Sequence, residues 1–321
     1  MRILVTGGAG FIGSHLVDKL LSEDYELVVI DNFSSGYFDN LSNSIASPKL
    51  KVIKGDLRDL SVLIESLSDV QAVFHFAANP EVRVGDPNEH FEHNIKATYN
   101  LLETMRKRDV TDIVFASSST VYGDAEILPT PESYGPLKPI SVYGASKLAC
   151  EALISSYVHT YSFRGISLRY ANVVGPRNRK GVTYDFVRKL LANPKRLKVL
   201  GDGTQTKSYI WIEDAVAATL TAWKHSGKEF EVFNVGGVDA ITVRRVAEIV
   251  IEEGELNNVE VEYTGGVEGR GWVGDVKKMH LDISKLIGLG WSPRYKSEES
   301  VRLAARHYWK LAREGLIKPF T

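Results

Sequence analysis

An apolar run rich in β-branched residues, Ile3-Leu4-Val5-Thr6, ends in Gly7-Gly8-Ala9-Gly10. A helical apolar pattern at Phe11, Ile12, Leu16, Val17, Leu20 and Leu21 follows at once. This order predicts a strand, a tight turn and a helix. Glycine at position 7 lets the chain turn, and glycine at 10 lets backbone approach a pyrophosphate. Glycine at 13 lets the helix pack close to the strand. A diphosphate placed there rests on the first N–H groups and the positive dipole end of the helix. The spacing is G-x-x-G-x-x-G, so the turn is one residue longer than in the commoner G-x-G-x-x-G. An ordinary β-α turn is the bland alternative. The nucleotide reading makes Gly7, Gly10, Phe11, Ile12 and Gly13 candidate contacts.

The next stretch supports the nucleotide reading. A second strand, Leu27-Val28-Val29-Ile30, ends in Asp31, close to the distance at which an acid meets the adenosine ribose. A carboxylate there repels a 2′-phosphate and no arginine follows it, which favours NAD over NADP. A helix-capping acid at a strand end is the competing reading. The polar loop after it places Asn32, Ser35 and Gly36 along the adenosine. A third strand, Lys51-Val52-Ile53-Lys54, leads to Gly55-Asp56-Leu57 and a helix from about 59 to 67. Asp56 either caps that helix or bonds the adenine amine.

Strands and helices then keep alternating. Ala72-Val73-Phe74-His75 is a buried strand running into Phe76, Ala77 and Ala78, small enough overall for a dinucleotide to cross the sheet edge. Asn79-Pro80-Glu81-Val82-Arg83 is an irregular loop, and a helix is predicted over 89–107. Its His90 and His93 have a spacing that suits a metal, but they read as exposed surface residues with no third ligand, so no metal is expected. Asp112 to Ala116 is the next strand, opening into Ser117-Ser118-Ser119-Thr120-Val121-Tyr122-Gly123. This rhythm predicts an α/β fold of Rossmann type, a doubly wound parallel sheet with ligands at its carboxyl edge.

Composition excludes several classes. Over 321 residues the net charge is −1 with 44% hydrophobic and 25% charged residues, so neither a nucleic-acid nor a membrane-surface partner is indicated. A single cysteine, Cys150, rules out an internal disulfide framework. With the first strand starting at residue 2 and no membrane-length apolar run, a cytoplasmic protein is expected.

The chemistry centres on Ser141-Val142-Tyr143-Gly144-Ala145-Ser146-Lys147, at the start of a helix predicted to reach about 162. Tyr143 and Lys147 are four apart and share one helix face. A phenol is a poor base at neutral pH, and an ammonium one turn away plus a cationic nicotinamide favour its phenolate.

TGGAGFIG, Asp31, SSSTVYG and YGASK, in this order, resemble the extended short-chain dehydrogenase/reductase family. Along the whole chain the likeness is greatest to its NAD-dependent nucleotide-sugar epimerases. The resemblance implies a triad of Ser118, Tyr143 and Lys147, with Ser118 chosen four residues before Tyr122 and its neighbours Ser117 and Ser119 satisfying backbone groups. It also implies NAD contacts at Asp56, Leu57, Phe76, Ala77, Ala78, Asn94, Tyr143, Lys147 and Tyr170. The implied substrate is a UDP-hexose, interconverted between UDP-glucose and UDP-galactose, as in galactose metabolism. Arg83, Ser118, Ser119 and Tyr143 face it from the first domain. A homodimer through the helices at 89–107 and 143–162 is a further implication.

From about residue 173 the β-α rhythm breaks. Residues 1–172 plus 209–236 are expected to form the NAD-binding domain, and 173–208 plus 237–321 a smaller C-terminal α/β substrate lobe. The resemblance puts Asn172 at the substrate diphosphate, Val199 in a strand beside the base, and Lys207 and Tyr209 in the phosphate-contacting loop. Lys207 stands where the family has arginine, and brings a point charge instead of a fork. Gly269-Arg270-Gly271-Trp272-Val273-Gly274-Asp275 resembles the family's R-P-G-D segment with Arg270 two residues early. Either a bulge returns the guanidinium to the phosphates or Arg270 is a solvated loop residue, and the bulge is preferred. Asp275 belongs to the same segment, and Met279 falls where the family meets the sugar's C2 group. Dehydratases of the superfamily carry Asp and Glu after the catalytic hydroxyl, and decarboxylases carry an acid in this segment. Ser119 and Thr120 depart from that. A 4,6-dehydratase or decarboxylase, and a non-catalytic nucleotide-sensing module, are the alternatives to the epimerase.

Overall fold

The computed structural model describes every residue except Val84, Lys228 and Thr321. It opens with β1 (Arg2–Thr6), α1 (Phe11–Ser22), β2 (Glu26–Asp31), β3 (Leu50–Lys54), α2 (Leu60–Ser66) and β4 (Ala72–His75). Then come α3 (Pro87–His90), α4 (Ala97–Lys107), β5 (Asp112–Ser118), α5 (Val142–Tyr161) and β6 (Arg164–Tyr170). With the later β11, these strands form a seven-stranded sheet in the order β11-β6-β5-β4-β1-β2-β3. β1 lies parallel between β2 and β4, with Leu4 opposite Val28 on one side and Val73 on the other. Strands buried on both faces must be apolar throughout, and the runs at 3–5, 27–30 and 72–74 are. Helices cover the faces. Leu101, Leu102 and Met105 of α4 and Cys150 and Ile154 of α5 join Leu4, Val73 and Phe115 in one core.

Where the periodicity predicts a single helix over 89–107, the chain runs α3, a π-helical turn (Phe91–Lys96) and α4. Pro87 sits in the first turn of α3 and the Asp86 carboxylate accepts from the Asn88 N–H, which fixes the start. The wide turn carries Asn94 into the interior, where its Nδ2 donates to the Ser146 hydroxyl at 2.9 Å. α5 begins where expected, because the Ser141 hydroxyl accepts from the Gly144 N–H at 3.1 Å. It ends at Ser162, in the left-handed region at φ +58°.

The chain divides into two compact units. The first comprises residues 1–121, 141–169 and 216–233 and holds the large sheet. The second comprises 122–140, 170–215 and 234–321. Residues 122–140, 170–172, 209–215 and 234–236, allotted above to the first domain, group with the second unit. In chain order the later elements are β7 (Asn172–Val174), α6 (Val182–Ala192), β8 (Arg196–Val199), β9 (Thr206–Lys207), β10 (Tyr209–Trp211) and α7 (Ile212–His225). They continue with β11 (Phe230–Val235), β12 (Ile241–Thr242), α8 (Val243–Glu253), β13 (Glu260–Tyr263), β14 (Lys278–Met279), α9 (Ser284–Gly288) and α10 (Ser297–Arg313). The second unit has small sheets β10-β7, β12-β9-β14 and β13-β8, and a core in which α6, α8 and α10 close over Leu197, Val199 and Tyr209. Among the described residues no helix is long and apolar enough to cross a membrane.

Candidate active site

The glycine turn is built as its spacing requires. Gly7 has φ +68°, and a Cβ on Gly13 would lie 2.3 Å from the Gly7 carbonyl oxygen. α1 starts from Gly10, which makes no side-chain cap bond to its first N–H groups, and such groups suit an anion. Phe11 and Ile12 form that first turn. Asp31 is buried at the end of β2, and its two oxygens accept from the Ala9 N–H at 2.9 Å and the Phe33 N–H at 2.8 Å. It therefore pins the glycine turn. Burial pushes its carboxyl above the usual range, and the two N–H bonds oppose that. Gly36 packs so close that a Cβ would stand 3.0 Å from the Asp31 Oδ2. Ser35, half-buried, precedes it. A backbone anion cradle beside a buried acid fits a dinucleotide.

Asp56 is not the cap of α2. Asp59 is, accepting from the Ser61 N–H at 2.9 Å. Asp56 receives Asn32 Nδ2 at 2.9 Å and the Arg58 fork at 2.9 and 3.0 Å, and that guanidinium holds its carboxyl well below the usual range. Leu57 is buried beside it. At the end of β4, the Ala77 N–H donates to the Thr6 hydroxyl at 3.2 Å, and half-buried Phe76 and Ala78 flank it. His75 bridges Thr6 and Thr98 at 2.8 and 2.9 Å, and burial drives its pKa down to about 3.

The three catalytic candidates come together in the first unit. Ser118 ends β5, with its hydroxyl near enough to the Tyr143 phenol to lower that phenol's pKa. Thr120 donates to the Ser118 Oγ through its hydroxyl at 2.9 Å and its N–H at 3.2 Å. Lys147 Nζ donates to the Ala116 carbonyl at 2.8 Å and lies 5.8 Å from the Tyr143 ring centroid. The expected activation of the phenol rests on Lys147 and a nicotinamide cation together, and the chain by itself supplies only the first. Burial pushes Tyr143 up to about 12, outweighing the Ser118 bond, and burial draws Lys147 down to about 8.

Two histidine readings change. His90 is buried, not exposed: it stands edge-on to the Tyr143 ring at 5.9 Å and meets Asn94 at 3.3 Å. His93 is paired with Glu89 at 3.2 Å. Among the described residues no group of three or more potential ligands suits a metal. Asn94, expected at the cofactor, spends its amide on His90, Ser146 and the Asn79 N–H, the last at 2.7 Å. Arg83 is exposed, and Ser119 is buried in the 3₁₀ turn after β5.

In the second unit Asp275 gathers both cations. Lys207 Nζ bonds its Oδ1 at 2.8 Å, and Arg270 donates to its carbonyl at 2.7 Å. The Gly271 N–H closes the loop onto Asp275 Oδ2 at 3.1 Å. Arg270 is thus not a solvated loop residue. Its guanidinium forks onto Asp124 at 2.9 and 3.0 Å, which raises its pKa. Met279 pairs in register with Lys207, and Asn172 with Tyr209. Val199 is buried opposite Tyr263, and Tyr170 is buried at the end of β6.

Glu151 escaped the motif reading. It is buried on α5 and bonded to Ser117, Ser167 and Arg169. Its signal was a lone acid inside the apolar run Leu148 to Ile154, spaced four from Lys147.

Residues 3–236 match the NAD dependent epimerase/dehydratase family. The chain belongs to that family. As a member it is an NAD-dependent enzyme of the nucleotide-sugar epimerase group. A crystal structure of a UDP-galactose 4-epimerase is similar at 47% identity and a TM-score of 0.85, covering 98% of this chain and 99% of that one. The UDP-glucose 4-epimerase of Mycolicibacterium smegmatis is 34% identical, over 94% of this chain and 96% of its own. UDP-glucuronic acid decarboxylase 3 of Arabidopsis thaliana is 36% identical, over 94% of this chain and 87% of its own.

Proposed function

We propose that the chain is a UDP-hexose 4-epimerase that interconverts UDP-glucose and UDP-galactose through a transient 4-keto sugar, with some tolerance of N-acetyl forms. The observation that carries this reading is the Ser118, Tyr143 and Lys147 cluster followed by hydroxyls and no acid. Removing water across C5–C6 needs a base and an acid, and the Thr120 hydroxyl is already bonded to Ser118 at 2.9 Å. A 4-keto sugar held here has one exit, return to an alcohol at C4.

When bound, NAD supplies a reversible two-electron acceptor for the sugar's C4–H, and its positive ring favours the Tyr143 phenolate. The residues in this reading that hold it are Gly7, Gly10, Gly13 and Asp31, with Lys147 at the nicotinamide ribose. Tyr143 Oη takes the O4 proton and later gives it back. Ser118 steadies the reacting oxygen by a hydrogen bond. Lys147 keeps a positive charge beside the phenolate. Lys207, Arg270 and Asn172 serve the diphosphate, Asp275 and Val199 the nucleoside side, and Met279 the sugar. Exposed Phe91, Tyr99 and Tyr161, on the helical segments of the expected homodimer contact, support that assembly. The test is a panel of nucleotide sugars with products identified by proton NMR. UDP-galactose should yield UDP-glucose without net NADH, and a 4-keto-6-deoxy product would overturn the reading.

A further inference from the structure

α5 grips the end of β5 at three successive residues. Tyr143, Lys147 and Glu151 are spaced four apart and share a helix face. Tyr143 lies by the Ser118 hydroxyl, Lys147 Nζ donates to the Ala116 carbonyl at 2.8 Å, and Glu151 Oε1 accepts from the Ser117 hydroxyl at 2.6 Å. The same Oε1 accepts from Ser167 at 2.9 Å and Arg169 Nε at 3.0 Å, and Oε2 from the other Arg169 nitrogen at 2.7 Å. Ser117, Glu151, Ser167 and Arg169 are all buried.

A buried ion pair is a poor device for stability alone, because apolar residues of similar volume often serve as well or better. This one is built where geometry matters. Its carboxylate ties a catalytic-helix residue to the strand residue directly before Ser118, and Arg169 ties both to β6. We infer that Glu151 is a positioning residue: through Ser117 it sets where the Ser118 hydroxyl stands relative to Tyr143. The inference rests on the reading of Ser118 and Tyr143 as the reaction centre. A displacement of about 1 Å at such a centre can cost roughly a hundredfold in rate.

Two serines on one carboxylate give the test. Ser117→Ala and Ser167→Ala each remove one hydroxyl from Glu151 Oε1, but only Ser117 adjoins Ser118. Both variants, Glu151→Gln and Tyr143→Phe are assayed with the NAD-loaded protein and UDP-galactose. For Ser117→Ala, kcat should fall about three- to tenfold with KM within about twofold, and for Ser167→Ala kcat should stay within about twofold. Glu151→Gln should lose about ten- to a hundredfold in kcat with NAD still bound. Should Glu151→Gln not fold, the serine pair still decides. Equal kcat in the two serine variants, with Tyr143→Phe inactive, overturns the positioning role. An active Tyr143→Phe instead overturns the assignment of the reaction centre.

Discussion

Lys147 is fixed by its ammonium to the backbone carbonyl of Ala116 at 2.8 Å, one helical turn beyond Tyr143 and over the Phe115 ring at 4.8 Å. Its charge therefore has a defined place beside the phenol. Removing it disfavours the phenolate, so in Lys147→Met the pH at which kcat rises should move upward. In the native enzyme the rate should fall again above about pH 8, where Lys147 loses its proton. A pH–rate profile of both forms checks this, and superimposable profiles would contradict it.

Tyr143→Phe removes the phenol proposed as the proton acceptor and little else. Turnover should drop by about 10²–10⁴-fold, the range for a positioned general base. The NAD content, measured by extracting the denatured protein, should match the native form. A variant that keeps most of the native rate would show that another group is the base.

Much of this arrangement was legible in the chain itself. The glycine turn, Asp31 and the Tyr143/Lys147 pair were readable because each depends on local spacing: a helix start, a strand end, one helical turn. Other features depend on partners far along the chain. His90 read as surface because the ring it stands against, Tyr143, lies far along the chain. Asp56 read either as a cap or as an adenine contact, because the true cap, Asp59, and its partner Arg58 stand in the same turn. The burial that raises the Tyr143 phenol is a property of the folded chain and has no mark in the local spacing. Arg270 needed the loop closure onto Asp275 to be placed.

Arg270 and Lys207 flank Asp275, and in the proposed function they serve the diphosphate. Arg270→Ala should raise KM for a UDP-hexose about ten- to a hundredfold, the worth of one charge-assisted hydrogen bond, with kcat changed much less. Steady-state kinetics reads the split. An unchanged KM would remove Arg270 from the substrate site.

Met279 is buried in β14 and unbranched, a side chain that repacks around different shapes. Met279→Tyr should lower turnover of UDP-N-acetylglucosamine while sparing UDP-glucose. Equal rates for the variant and the native enzyme on the N-acetyl sugar would show that the position is no gate.

In the proposed function the substrate's C4 hydrogen leaves and returns without exchange with solvent, and Tyr143 handles only the O4 proton. UDP-galactose carrying deuterium at C4, incubated with the NAD-loaded protein in ordinary water, tests this directly. Proton and deuterium NMR of the product should show UDP-glucose with the deuterium still on C4. Loss of the label to solvent, or a 4-keto-6-deoxy sugar in place of UDP-glucose, would contradict the account.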